Sequence, residues 1–248
     1  SGKADKEMLP FIAIPTTAGT GSECQSYAII ADSETHVKMA CGDKKAAARI
    51  AILDPELSLT QPSKVTSHTG IDAFSHAIET SVTSKRNDAS YRYSKLAFNL
   101  LNDSFESVLK DPKDIEARSK MMLGAAYAGT AIESSMLGAA HAAANPLTAQ
   151  FGIIHGAAVG LMLPHVIRYN SQDPDTKNIY EDLYKGNLSD RVNDLLDIAS
   201  ISSELSSYGV DRGSFQALSK DASTQWTGTF NPRTVGVDDF ADLYESAF

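Results

Sequence analysis

The chain has 248 residues, 42% of them hydrophobic and 21% charged, with a net charge of −9. That length supports one large domain or two modest ones, and the acidic balance, with no block of basic residues, argues against nucleic acid or an anionic membrane as a main partner. Two cysteines, Cys24 and Cys41, do not make a disulfide framework, and no apolar run approaches the ~18 residues of a membrane span, so a cytoplasmic protein is expected.

Residues 1–58 read as β-rich. Phe11-Ile12-Ala13-Ile14 is a short apolar run closed by Pro15, and a loop of hydroxyl residues and glycines follows, Thr16-Thr17-Ala18-Gly19-Thr20-Gly21-Ser22-Glu23. Tyr27-Ala28-Ile29-Ile30 and Ala48-Arg49-Ile50-Ala51-Ile52-Leu53 read as further strands, the second closed by Asp54-Pro55. So few strands cannot bury two faces alone, and they read as part of a larger sheet. From residue 59 the texture is helical. One helix, capped by Thr66 or Ser67, runs to about Ser84; a second opens at Asp88 or Ser90; a third covers Pro112 to Ala131. A fourth contains His141, and a fifth starts near His155 and is bent by Pro164. Shorter helices fill 177–248, broken at Asn231-Pro232-Arg233 and ending with one from Val237 to Phe248.

Two segments carry candidate chemistry. In Gly70-Ile71-Asp72-Ala73-Phe74-Ser75-His76-Ala77-Ile78-Glu79, the carboxylate of Asp72 and the imidazole of His76 stand four residues apart, on one helix face. Taken alone, such a pair is more often a surface or capping arrangement. In Gly138-Ala139-Ala140-His141-Ala142-Ala143-Ala144-Asn145-Pro146 and Ile154-His155-Gly156-Ala157-Ala158, two histidines lie among small residues in segments that read as buried. Either histidine alone fits a core imidazole bonded to a backbone carbonyl. The small neighbours leave room for an ion or ligand close to the backbone. Together the four offer one carboxylate and three imidazoles, a set suited to a first-row divalent ion such as Fe²⁺, Zn²⁺, Mn²⁺ or Co²⁺ acting as a Lewis acid.

Several motifs in order and spacing make residues 10–248 resemble the iron-containing (group III) alcohol dehydrogenase family. They are Pro15 to Glu23, Leu53-Asp54-Pro55-Glu56-Leu57, Gly70-Ile71-Asp72-Ala73, the fourteen-residue interval from His141 to His155, Leu163-Pro164-His165-Val166-Ile167-Arg168-Tyr169-Asn170, and Asn231-Pro232-Arg233. The resemblance implies a mainly α fold: residues 1–58 as the C-terminal part of an α/β dinucleotide-binding domain, and residues 59–248 as an all-helical, metal-binding catalytic domain. It implies that Asp72, His76, His141 and His155 bind the metal. It also implies hydride transfer between an alcohol or an aldehyde or ketone and NAD or NADP, a small alcohol or aldehyde substrate, and a homodimer or larger assembly. Thr16, Thr17 and Thr20 would lie against the cofactor, with hydroxyl and N–H groups suited to phosphate oxygens. Lys38 matches a lysine near the cofactor ribose, and reads equally well as a surface lysine. Without the resemblance, the hydroxyl-rich loop is an ordinary turn.

Two features depart from the family pattern. Its Gly-Gly-Gly-Ser phosphate loop and preceding strands have no counterpart in these residues, so this chain alone is expected to bind metal with its dehydrogenase activity in question. Many members carry a second histidine four residues after the one matching His141, assigned to proton relay or substrate contact; here that position is Asn145, whose amide does not titrate. The alternatives are a glycerol-dehydrogenase-like polyol oxidoreductase and a non-catalytic metal-binding helical domain. His165 reads as packing or capping, His68 as a cap or a site-lining residue, His36 as solvent-facing and Trp226 as packing near the Asn231-Pro232-Arg233 break.

Overall fold

A computed structural model describes residues 5–33 and 38–248 of the chain. Short strands occupy the N-terminal quarter: β1 (Ile12–Ala13), β2 (Tyr27–Ala31), β3 (Lys38–Gly42) and β4 (Ile50–Ala51). β1 and β4 pair in parallel, with Ile12 opposite Ile50, while β2 and β3 form an antiparallel ladder with Ile29 opposite Ala40. β3 was not expected: Lys38-Met39-Ala40-Cys41-Gly42 lacks the β-branched and aromatic enrichment that marks a strand. The remainder is helical, with α1 (Ser63–Thr80), α2 (Asp88–Lys110), α3 (Ile115–Ser135), α4 (Ala139–Phe151), α5 (His155–Asn170), α6 (Pro174–Leu183), α7 (Leu188–Ile198), α8 (Phe215–Ser223) and α9 (Val237–Ser246). The mainly α class is therefore what the chain adopts.

The helix boundaries follow local chemistry. α2 starts at a reciprocal cap: the Asn87 side chain accepts from Ser90 N, and the Ser90 hydroxyl accepts from Asn87 N, both at 3.0 Å. Asp114 caps α3 by accepting from Ala117 N at 3.0 Å. α1 begins three residues before the expected cap, just after Pro62. A proline there presets the backbone and loses no needed donor. α5 continues through Pro164 to Asn170 as one helix.

α1 is the central element, packed against α2, α3 and α5; α4 lies against α5 and α8, and α9 closes on α8. Its residues from Gly70 to Thr80 are all buried. Phe74 stacks edge-on against Phe98 of α2 and Phe105 near the end of that helix, with ring centroids 5.8 and 5.5 Å apart. Burying a side chain of that size contributes about 1.5–3 kcal/mol, beyond which edge-on aromatic pairs add ~0.5–1.5 kcal/mol. A helix held this firmly on three sides is a rigid mount for the polar residues it also carries.

The hydroxyl-rich loop docks onto this bundle. Gly21 adopts φ 61°, and a Cβ there would lie 2.6 Å from both the Ala125 carbonyl oxygen and the Gly129 Cα of α3. Only glycine meets both the left-handed backbone and the close approach. The start of β2 is tied to the same helix, because Glu133 accepts from Ser26 N at 2.8 Å and from the Ser26 hydroxyl at 2.6 Å.

Candidate metal centre

Helix periodicity sets the first half of the centre: Asp72 and His76 lie one turn apart on α1. The second half comes from a tight connection between α4 and α5. α4 ends at Gly152 in the left-handed conformation (φ 65°), and two further residues return the chain to His155, the first residue of α5. This places the His155 ring beside the His141 ring, with centroids 5.4 Å apart. The His76 ring stacks on His141 at 5.0 Å.

All three imidazoles converge on one oxygen. Asp72 Oδ1 lies 3.4 Å from His76 Nε2, 3.6 Å from His141 Nε2 and 3.8 Å from His155 Nε2. Among the described residues, ligand atoms of Asp72, His141 and His155 lie within 4.8 Å of one another, as a metal cluster requires. His76 is outside that trio, although its Nε2 is the one nearest to Asp72. Asp72, His76 and His141 are buried, while the His155 side chain is 29% exposed and faces the cleft described below.

The electrostatics are those of a site shaped for a cation. Burial alone would raise the Asp72 pKa, but His76 and the other two imidazoles outweigh it and hold the carboxyl well below the usual carboxylate range. For His76 burial wins over the attraction of Asp72, and its pKa falls. For His141 burial again opposes the charge, but Glu79 and Asp72 together overcome it and raise the pKa to about 9. Asp72 Oδ1 and His141 Nε2 are both buried without a hydrogen-bond partner. Unpaired buried polar atoms are costly, and a divalent ion among these donors removes both deficits at once. The residues present fit such an ion.

The centre forms one wall of a cleft of about 530 Å³. Ile132, Leu137 and Trp226 supply apolar surface from the helical side, and Thr20, Ser22, Tyr27, Ala28 and Ile29 line it from the β-rich region. Of the expected cofactor residues, Thr20 lines this cleft, its hydroxyl accepting from the Ser22 hydroxyl at 2.9 Å. Thr16 is exposed and its carbonyl accepts from Gln61 Nε2 at 3.0 Å, whereas Thr17 lines a separate small void beside Arg118. Lys38 begins β3, and its side chain lies outside the described residues, as does His36. Asn145 lines the cleft, and its Nδ2 donates to Gln225 Oε1 at 3.0 Å.

Some residues differ from the sequence reading. Trp226 is not core packing: it is 39% exposed and lines the cleft, with its ring edge-on to Phe230 at 5.9 Å. His68 bonds the Lys64 carbonyl through Nδ1 at 2.7 Å and lines a different cavity near the start of α1. His165, by contrast, keeps its expected packing or capping role: it pairs with the Ser246 hydroxyl at 2.7 Å and does not line the cleft. Leu137, Thr227 and Gln225 carry no sequence signal of their own, since they meet only through the packing of α3, α4 and the 226–230 turn. Glu79 was within reach: Asp72, His76 and Glu79 stand at i, i+4 and i+7 on one face of α1.

The helical region thus presents one carboxylate and three imidazoles along one wall of a cleft, with Thr20 and Ser22 of the hydroxyl-rich loop also lining it. Residues 66–248 match the sequence profile described as the Fe-containing alcohol dehydrogenase family, C-terminal, and residues 1–55 match that of iron-containing alcohol dehydrogenase. The NAD-dependent methanol dehydrogenase of Bacillus methanolicus is 31% identical over 98% of this chain and 67% of its own length. Alcohol dehydrogenase 4 of Schizosaccharomyces pombe is 32% identical over 99% of this chain and 60% of its own. The solved alcohol dehydrogenase from Oenococcus oeni superposes with a TM-score of 0.94 at 27% identity, covering 99% of this chain and 68% of that one. The chain belongs to the iron-containing alcohol dehydrogenase family, and it spans about two thirds of the length of these relatives. No helix among the described residues is long and apolar enough to cross a membrane.

Proposed function

We propose that Asp72, His76, His141 and His155 hold one divalent metal ion, Fe²⁺ first and Zn²⁺, Mn²⁺ or Co²⁺ as alternatives. We propose that the protein containing this chain transfers a hydride between a small alcohol, or its aldehyde or ketone, and NAD or NADP. The observation that carries the reading is the convergence of three Nε2 atoms within 3.4–3.8 Å of one buried carboxylate oxygen. Two of those donors lack any other partner.

A divalent ion at this position, when bound, polarises an alcohol or carbonyl oxygen and so favours the alkoxide form of the substrate. The chain's own residues do the rest. Among the four ligands Asp72 would supply the single negative charge, and with a metal bound the neutral imidazoles would add ligands without adding charge. Ile132, Leu137 and Trp226 line the approach and exclude water from the apolar part of a small alcohol. Thr20 and Ser22 bring hydroxyl groups to the cleft edge, where they suit the polar parts of a nicotinamide nucleotide. Asn145, at the position of the family's second histidine, neither takes nor gives a proton and instead braces Gln225. Proton release therefore bypasses this position.

We also place a domain boundary near residue 58, where short exposed strands give way to buried helices. A homodimer or larger assembly belongs to the same reading and rests on the family resemblance. A cytoplasmic location agrees with Cys24 and Cys41 being free thiols. The functional test is alcohol-dependent reduction of NAD or NADP by the Fe²⁺-loaded protein, with this chain joined to the remaining length its relatives possess. Turnover of a primary alcohol, abolished by His155→Ala, is expected. A metal-loaded protein inert toward alcohols and aldehydes with both nucleotides would contradict the reading.

A further inference from the structure

The metal centre is supported from behind by a residue the mechanism does not use. Glu79 is 3% exposed and lies on the same face of α1 as Asp72 and His76. Its two oxygens reach the same turn of α4. Oε2 is 2.5 Å from His141 Nδ1, and Oε1 accepts from Ala140 N at 2.7 Å. Asn231 Oδ1 accepts from the adjacent Ala139 N at 3.3 Å. Gly138 leaves room for both side chains, because a Cβ there would sit 3.0 Å from Glu79 Oε1 and 3.1 Å from Asn231 Oδ1. The first N–H groups of α4, which no helical carbonyl satisfies, are thus taken by side chains from α1 and from the 226–231 turn.

We propose that Glu79 is a positioning residue for the metal centre: its carboxylate holds the proton of His141 on Nδ1 and fixes the ring so that Nε2 faces Asp72. The inference rests on the metal reading above. An ionised carboxylate only accepts hydrogen bonds, so Nδ1 must be the donor. In the neutral ring that a metal requires, Nε2 is then the nitrogen with a lone pair to offer, and it is the atom that lies 3.6 Å from Asp72 Oδ1. The second oxygen binds the backbone of the preceding residue, so one group sets both the orientation of the ring and the position of the turn that carries it. Carboxylate–histidine–metal arrangements of this kind orient the ligand and raise its basicity.

Glutamine is the informative replacement because it has the same shape but one acceptor in place of two. If its oxygen serves Ala140 N–H, its NH₂ faces Nδ1 and drives the His141 proton onto Nε2, blocking the ligand atom. If its oxygen serves His141, the backbone donor is left buried against an NH₂ group. Aspartate restores two acceptors at the cost of reach.

The experiment measures Zn²⁺ affinity of the wild-type chain, Glu79→Gln and Glu79→Asp by chelator competition, with nitrogen-edited NMR of the imidazoles in the Zn²⁺-loaded protein. Glu79→Gln is expected to bind Zn²⁺ about 10- to 100-fold more weakly, with Glu79→Asp between it and the wild type. The His141 signal is expected to show a proton on Nδ1 and metal on Nε2. A wild-type chain that binds no Zn²⁺ overturns the metal reading itself, and this inference with it. A wild-type chain that binds Zn²⁺, beside a Glu79→Gln variant of equal affinity, overturns the role of Glu79 alone. A variant that is less stable but unchanged in affinity has the same meaning. Should Glu79→Gln fail to fold, the wild-type spectrum decides, since His141 bound through Nδ1 would overturn the proposal.

Discussion

The two ends of the cleft are built on different terms. The helical region buries its large apolar residues around α1, and the metal-ligand candidates sit inside that packing. In the N-terminal 58 residues the opposite holds: among the described residues, eleven of the sixteen exposed large hydrophobic side chains lie there, including Ile12, Ile29, Ile30, Ile50 and Ile52. Their ladders are two-stranded, and such pairs are marginal without a face to pack on. The cleft therefore joins a wall whose geometry is fixed by core packing to a wall held mainly by a few ties, Gly21 on α3 and Ser26 on Glu133. Ligand placement demands tenths of an ångström and falls to the first wall. The hydroxyl loop of the second wall only has to present donors and acceptors.

That contrast sets the order of expected effects. The largest belongs to the core beneath the ligands: Phe74→Ala should cost ~3–5 kcal/mol in urea unfolding, since it removes a fully buried ring and two edge-on contacts. A loss under about 1 kcal/mol, the scale of an ordinary surface change, would show that α1 is not the rigid mount described. Next, Gly21→Ala should cost ~1–3 kcal/mol through left-handed strain and collision with α3. Protease cleavage near residues 16–30 should rise in that variant while the helical region stays resistant.

A smaller effect tests the far side of the bundle. Burial, and then the Arg168 guanidinium, push the His165 imidazole down to about 4 from its usual 6.5. Between those values the unfolded chain binds a proton that the folded chain refuses. Stability is full above the unfolded pKa and declines as pH falls toward the folded one. For a partly exposed ring the loss is on the order of 1–2 kcal/mol, and His165→Gln should flatten it in chemical denaturation followed across that window. The smallest effect completes the comparison. Ile29→Ser, on an exposed strand position, should change stability by less than about 0.5 kcal/mol; a cost of several kcal/mol would mean that the β-rich region has a core of its own.

Much of the helical region was legible in the sequence. The sequence opens the second helix at Asp88 or Ser90 and runs the third from Pro112 to Ala131, close to the observed α2 and α3, although the capping side chains are Asn87 and Asp114. The four-residue step from Asp72 to His76 gives half of the centre directly. The other half, the meeting of His141 with His155, depends on the α4–α5 turn and came only through the family resemblance. β3 was missed because its pairing with β2, not its own composition, makes it a strand. The loop was harder still. A non-repeating backbone sends Thr17 inward to the void beside Arg118, leaves Thr16 exposed and turns Thr20 to the cleft, and no periodicity reports that order. The cleft lining of Trp226 and Thr227, and the bond from Asn145 to Gln225 behind it, are likewise set by tertiary packing.

The central claim is that Asp72 and the three histidines form one metal centre. Elemental analysis of the wild-type chain and the Asp72→Ala variant, each reconstituted anaerobically with Fe²⁺ or Zn²⁺ and freed of loosely bound ion, tests it most directly. The wild type should retain about one ion per chain, as a single carboxylate–imidazole set holds, and the variant should retain none. Equal metal in both proteins, or none in either, would contradict the account.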